Sequence, residues 1–252
     1  MGPDDVKAVA APPSGDRAPA DGRSGLAVAW ARAAVVGVVA YVLIDLALAV
    51  LRPDVRLLHD PESDYGNGPW SWLMDANFLL RGGLSLAAAI ALASSLLGRH
   101  VGPTDLRSAG SRAMSSQPPS SSRATRLGLT LLMTWAVAST VLAFVPDDLR
   151  GAAPTRHGEL HLLAAIVGFV CVATATVLLS RVVSGLPAWA TVARTLSILS
   201  VGGVAALVLL GLSRLPYNAF GGLWERVFLA LELAWILISS LPLTRAGDAG
   251  VS

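Results

Sequence analysis

Three clusters of carboxylates, imidazoles and hydroxyls interrupt the long apolar runs of this 252-residue chain. The first is His59-Asp60-Pro61-Glu62-Ser63-Asp64-Tyr65-Gly66-Asn67-Gly68-Pro69-Trp70-Ser71-Trp72, dense in carboxylates and aromatics and kept irregular by Gly and Pro. The second holds Asp147, Asp148, Thr155, His157, Glu159 and His161, and the third Tyr217, Asn218, Glu225 and Arg226. His157 and His161 are four residues apart, so they share one face of a helix that begins by there. That spacing suits a divalent metal such as zinc with carboxylates completing the shell; it equally suits a hydrogen-bonded structural pair. Asp64 and Asp147 are candidate metal ligands or general acids and bases beside His161. Arg226, with five donors, is expected to hold two carboxylates from different loops, with Asp64 and Asp147 as acceptors and Tyr65 closing the rim. No glycine-rich phosphate loop and no serine nucleophile elbow is present.

The segments that must position these residues are membrane spans. Hydrophobic residues make up 54% and charged residues 14% of the chain, far below the quarter expected of a soluble domain. Six apolar runs, about Trp30–Leu51, Trp72–Leu97, Leu127–Val145, Leu160–Ser180, Trp189–Leu212 and Leu223–Leu243, each approach the ~20 residues of a spanning helix. They lack the alternation of β-barrel strands. The expected fold is all-α, a polytopic bundle of six transmembrane helices over residues 28–245, with a cytoplasmic loop at 99–125. Tails at 1–27 and 246–252 flank it, and the first reads as disordered and uncleaved. The first cluster, at a helix end, is expected to lie on or over the membrane surface.

Orientation follows from the 19 basic residues. Arg52, Arg56, Arg150, Arg156, Arg214 and Arg226 fall on one side and Arg81 within a helix, leaving roughly a two-to-one excess on the other side. Both termini are therefore expected in the cytoplasm and all three clusters outside. This bias explains the basic pI without a nucleic-acid partner. Lys7 is the one lysine beside 18 arginines, the imprint of a GC-rich bacterial genome, which places the chain in a bacterial plasma membrane. Cys171 lies within an apolar run and can form no disulfide inside a monomer.

Inside the membrane Asp45, Arg81 and Glu232 are the costly residues, expected to face the bundle interior and pair with one another. An ion-paired lock between helices and a substrate or proton path are both open at this point.

Three stretches together resemble the bacterial membrane family called domain of unknown function 998. They are Ser63-Asp64-Tyr65-Gly66 before Trp70 to Met74, Phe144-Val145-Pro146-Asp147 before Thr155-Arg156-His157-Gly158-Glu159-Leu160-His161, and Gly222-Leu223-Trp224-Glu225-Arg226-Val227. The resemblance implies a six-helix bundle related distantly to autophagy-modulator and growth-receptor-activating membrane proteins, and no established activity. Its characteristic positions here are Ser63, Asp64, Tyr65, Gly66, Asp147, Thr155, Gly158, His161, Glu225 and Arg226. His157 lies outside that pattern, which favours His161 over the histidine pair.

Three functions are compatible with these residues. One is a non-enzymatic protein whose outer polar pocket binds a lipid headgroup, a small ligand or a partner membrane protein. Another is a metal-dependent lipid hydrolase at the outer leaflet, using His161, Asp64 and Asp147. The third is a proton-coupled transporter using Asp45, Arg81 and Glu232, without evident broken helices or an inverted repeat.

Overall fold

A computed structural model of the chain describes residues 21–97, 119–149, 152–213 and 220–248. Most of the 1–27 tail, most of the 99–125 loop, the last four residues, and Arg150, Arg214, Tyr217 and Asn218 lie outside the described residues. Among those described, six helices are long and apolar enough to cross a membrane, and no strand occurs. They are α1 (Asp21–Leu51), α2 (Ser71–Leu97), α3 (Pro119–Leu142), α4 (Arg156–Val183), α5 (Ala193–Leu212) and α6 (Gly221–Asp248). The protein is thus an all-helical membrane protein.

Helix ends differ from hydropathy where polar residues still have helical propensity. α4 starts at Arg156, four residues before the apolar run, because Thr155 caps it: its hydroxyl accepts from the Gly158 N–H at 3.2 Å. α5 starts later than expected. Trp189 belongs to a separate 3₁₀ turn, Pro187–Trp189, and is fully buried. Its indole N–H donates to the Ser239 carbonyl at 2.9 Å, replacing the headgroup partner an interfacial tryptophan would find.

Each helix packs on its chain neighbours, and α1 closes the ring on α6. α1 and α2 approach closely where Gly37 meets Leu84, and Ala31 and Ala34 of α1 and Ala87, Ala88 and Ala91 of α2 are all buried. Such small side chains let membrane helices approach closely where no hydrophobic effect drives them together. One apolar core runs through the bundle, centred on Trp135, Phe169, Phe228 and Trp235. A second, smaller core at the loop end joins Leu48, Val55, Tyr65, Met74, Phe78 and Leu142.

That second core belongs to the 52–70 loop, which differs from its expected place on the surface. A 3₁₀ turn, Glu62–Gly66, drops into the bundle mouth with Glu62 2% and Tyr65 0% exposed. The loop end of the molecule is the one where 52–70, the segments 143–149 and 152–155, and the first turn of α6 meet. Six spans place Asp21 and Asp248 at the opposite end.

Candidate functional site

The first loop is held by three arginines. Arg52, just past α1, binds the Asp54 carboxylate through Nε and Nη2 at 2.9 and 2.7 Å. Its Nη1 donates to the carbonyls of Pro69, at 3.1 Å, and Asn67, so one side chain ties both ends of the loop. The hydrogen-bonded pair raises the Arg52 pKa and lowers that of Asp54. Arg56 closes a tighter turn on Asp60 through its backbone N–H, 2.9 Å, and Nη2, 3.1 Å.

Arg226 does organise loops, through other partners than expected. Its Nη1 donates to the carbonyls of Leu57 at 2.9 Å, Asp60 at 2.8 Å and Gly222 at 3.2 Å, and not to the carboxylates of Asp64 or Asp147. The cause lies in Gly222. A methyl there would stand 2.8 Å from both the Asp60 nitrogen and the Leu57 carbonyl oxygen, so the missing side chain admits the loop backbone to the first turn of α6. Leu223 N–H then donates to the Leu58 carbonyl at 3.0 Å, satisfying one of the open donors of that turn. Arg226 also stands over the Tyr65 ring, 5.5 Å from guanidinium carbon to centroid. Burial pushes the Tyr65 hydroxyl above its usual pKa.

Below the loop lies a polar layer inside the bundle. Tyr41 of α1 donates to Glu62 Oε1 at 2.5 Å, and Arg81 Nη1 of α2 approaches the same hydroxyl at 3.5 Å. Arg81 Nε donates to Ser139 Oγ of α3 at 3.2 Å. The guanidinium carbon lies 6.0, 5.0 and 4.8 Å from the ring centroids of Tyr41, Phe78 and Trp135. An arginine at mid-bilayer costs about 2.5–3.5 kcal/mol on insertion scales, and each cation–π contact returns roughly 0.5–2 kcal/mol. Three rings therefore offset the burial without a carboxylate.

The direct pairing of Arg81 with Asp45 or Glu232 is accordingly absent among the described residues. Asp45 shares the charge environment of Glu62, Arg226 and Arg81. Glu232 lies elsewhere, 1% exposed, its carboxylate against Gly203 of α5 where a side chain would collide with it. Equal depth along the chain did not make these charges direct partners: Glu232 lies against α5, and Arg81 is taken up by Ser139, Tyr41 and three rings.

The second loop meets the first through Asp147. Ser63 Oγ donates to Asp147 Oδ2 at 2.7 Å, and the same oxygen lies 3.9 Å from His161 Nε2. His161 is buried on α4, its Nδ1 2.7 Å from the Val145 carbonyl oxygen and its ring edge-on to Phe78 at 5.9 Å. A carbonyl accepts only, so Nδ1 carries the proton and Nε2 faces the carboxylate. The neighbouring Asp148 accepts from Thr155 N–H at 2.9 Å and Thr155 Oγ1 at 2.6 Å, which lowers its pKa. A methyl on Gly158 would fall on that carboxylate.

These contacts frame a cavity of about 290 Å³ at the loop end, lined by Ser63, Arg81, Asp147, Asp148, Glu159, His161 and Glu225 with Phe78, Leu162, Ala165, Phe169 and Leu210 among its apolar walls. Beside it, between α4 and α5, a second cavity of about 380 Å³ is lined wholly by Leu162, Ala165, Ile166, Phe169, Val170, Leu207, Leu210 and Gly211. Leu162, Ala165, Phe169 and Leu210 border both, so polar pocket and apolar groove share a wall.

Of the residues singled out by sequence, the structure gathers Asp147, His161, Glu225 and Arg81 around this cavity, with Thr155 behind Asp148. Asp64 lines a separate depression of about 260 Å³ with Arg52, Asp54 and Asp60. Tyr65 and Arg226 lie behind the loop. His157 is exposed while His161 is buried, and among the described residues no three His, Cys, Asp or Glu side chains cluster as a metal site would. Chemically, the chain runs Ser63 to Asp147 to His161, an anchoring order. In the hydrolase order the imidazole stands between hydroxyl and carboxylate. Sequence reasoning passed over Tyr41, Ser139 and Arg52. Only Arg52 carried a local signal, the Asp two residues on.

The profile of the family described as "Protein of unknown function (DUF998)" matches residues 35–106 and 108–241. No curated protein and no solved structure matches the chain. With its match running from α1 through α6, the chain belongs to the DUF998 family.

Proposed function

We propose that the protein binds one amphiphile taken laterally from the membrane, its head in the polar pocket and its hydrocarbon in the α4–α5 groove. The observation that carries this reading is the shared wall of Leu162, Ala165, Phe169 and Leu210 between a charged cavity and an apolar one. Each cavity approaches or exceeds the roughly 300 Å³ at which small-molecule sites begin. A soluble polar ligand would need only the first, whereas an amphiphile uses both. The groove also faces lipid: Leu162, Ile166 and Val170 on its α4 side are about half exposed.

With the orientation set by the arginine excess, the pocket opens toward the outer leaflet of a bacterial plasma membrane and both termini are cytoplasmic. Membrane lipids are then the natural ligands. The reading requires neither catalysis nor a metal at His157 and His161.

The test is retention of lipid by purified protein. Ala165→Trp, which fills the shared wall, should abolish lipid co-purification while leaving the helical spectrum unchanged. Undiminished lipid retention in that variant would refute the reading.

A further inference from the structure

The charges around the pocket narrow the chemistry of the head. Arg81 is 1% exposed and lines the cavity. Its Nε donates to Ser139 and its Nη1 reaches Tyr41, two hydrogen bonds for a group with five N–H donors. Aromatic rings cover the guanidinium faces, yet they cannot serve the N–H donors at its edge. A buried guanidinium edge with unused donors is a receptor for an oxyanion, most strongly for phosphate or carboxylate.

The opposite sign lines the rest of the cavity. Asp147 and Asp148 border the same space, Asp147 already accepting from Ser63 of the first loop and Asp148 from Thr155 of its own. Glu159, in the first turn of α4, is exposed and its carboxylate has no partner among the described residues. A head that is only anionic would satisfy Arg81 and be repelled by these carboxylates. A head with an anion at one end and a cation at the other satisfies both.

We propose that the pocket selects a zwitterionic head, its phosphate on Arg81 and its ammonium between Glu159 and Asp147; this rests on the amphiphile reading above. The ligand class is then an amino-phospholipid such as phosphatidylethanolamine, and the same head chemistry exists free as O-phosphoethanolamine.

Delipidated full-length protein in detergent tests this, with binding read by native mass spectrometry. The probes are phosphatidylethanolamine, phosphatidylglycerol, O-phosphoethanolamine and inorganic phosphate. Wild type should bind phosphatidylethanolamine about tenfold more tightly than phosphatidylglycerol, the ratio expected of one charge-assisted contact. Glu159→Gln, a surface change that leaves the fold intact, should erase most of that preference by admitting phosphatidylglycerol. Arg81→Gln should weaken both lipids. Equal binding of the two lipids by wild type, or an unchanged ratio in Glu159→Gln, overturns the zwitterion assignment. If both lipids bind equally and Ala165→Trp expels both, the amphiphile reading stands and only the head assignment falls. Binding of O-phosphoethanolamine as tight as that of the lipid supports the head assignment and refutes the amphiphile. Binding of no probe refutes both.

Discussion

Tyr41 and Glu62 are hydrogen-bonded at 2.5 Å although one sits within a spanning helix and the other in the loop that follows it. Tyr41 is about ten residues from the loop end of α1, roughly 15 Å along the axis at 1.5 Å per residue. The 52–70 loop is therefore a plug in the bundle mouth, with Glu62 facing inward. Tyr41→Phe should strand the buried Glu62 carboxylate and cost about 1–3 kcal/mol. Thermal unfolding in detergent checks this; a melting temperature equal to wild type would show that the plug is held without this bond.

The Arg226 contacts predict how the plug is fastened. Arg226→Gln removes a guanidinium nitrogen shared by the Leu57, Asp60 and Gly222 carbonyls. With Cys171→Ala as background, a Ser63→Cys probe should be shielded from water-soluble thiol reagents when Arg226 is present. It should react at least several-fold faster in Arg226→Gln. Equal rates would mean that the Arg52, Arg56 and Tyr41 contacts fix the loop without Arg226.

How much of this was readable in the chain depends on which interaction is local. Six spans follow from hydropathy, because backbone hydrogen bonds in lipid must be closed within each helix. The Thr155 cap follows from a Thr three residues before Gly158. The plug does not follow, since Glu62 and Tyr65 sit among Gly and Pro as surface residues do, and the Tyr41 bond that makes the burial of Glu62 tolerable comes from a distant part of the chain. The partners of Arg81 differ from the expected carboxylates for a related reason. Charge pairing is the cheapest rule to apply to a sequence, whereas a cage of Tyr41, Phe78 and Trp135 from three helices has no sequence spacing. Arg226 was identified as an organiser, and its carbonyl partners depended on the close approach at Gly222.

The second loop carries a pH signature. Hydrogen bonds from the Thr155 hydroxyl and N–H lower the Asp148 pKa on folding. A carboxylate whose folded pKa is depressed adds stability above its unfolded pKa, about 3.9, and that stability is lost as pH falls through the lower folded value. Hydrogen exchange over residues 152–158 should therefore stay slow at neutral pH and accelerate below about pH 4. Asp148→Asn should show faster exchange at neutral pH and no such acid step. An acid step of unchanged size in Asp148→Asn would assign it to another group.

The orientation is tested by the exposed Asp54 side chain, 63% accessible on the plug's outer rim. In a Cys171→Ala background, Asp54→Cys should be labelled by a membrane-impermeant reagent added to intact cells. Labelling only after the cells are opened would invert the molecule and move the pocket to the inner leaflet.

The continuity of pocket and groove is tested most directly by photo-crosslinking with a phospholipid that carries its photoreactive group on the acyl chain. After digestion, crosslinked peptides should map to α4 around Leu162–Val170 and to α5 around Leu207–Gly211, the walls of the apolar cavity. Ala165→Trp should suppress both sets. Crosslinks spread evenly over the lipid-facing surfaces of all six helices, or concentrated on α1 and α2 and unaffected by Ala165→Trp, would contradict the account.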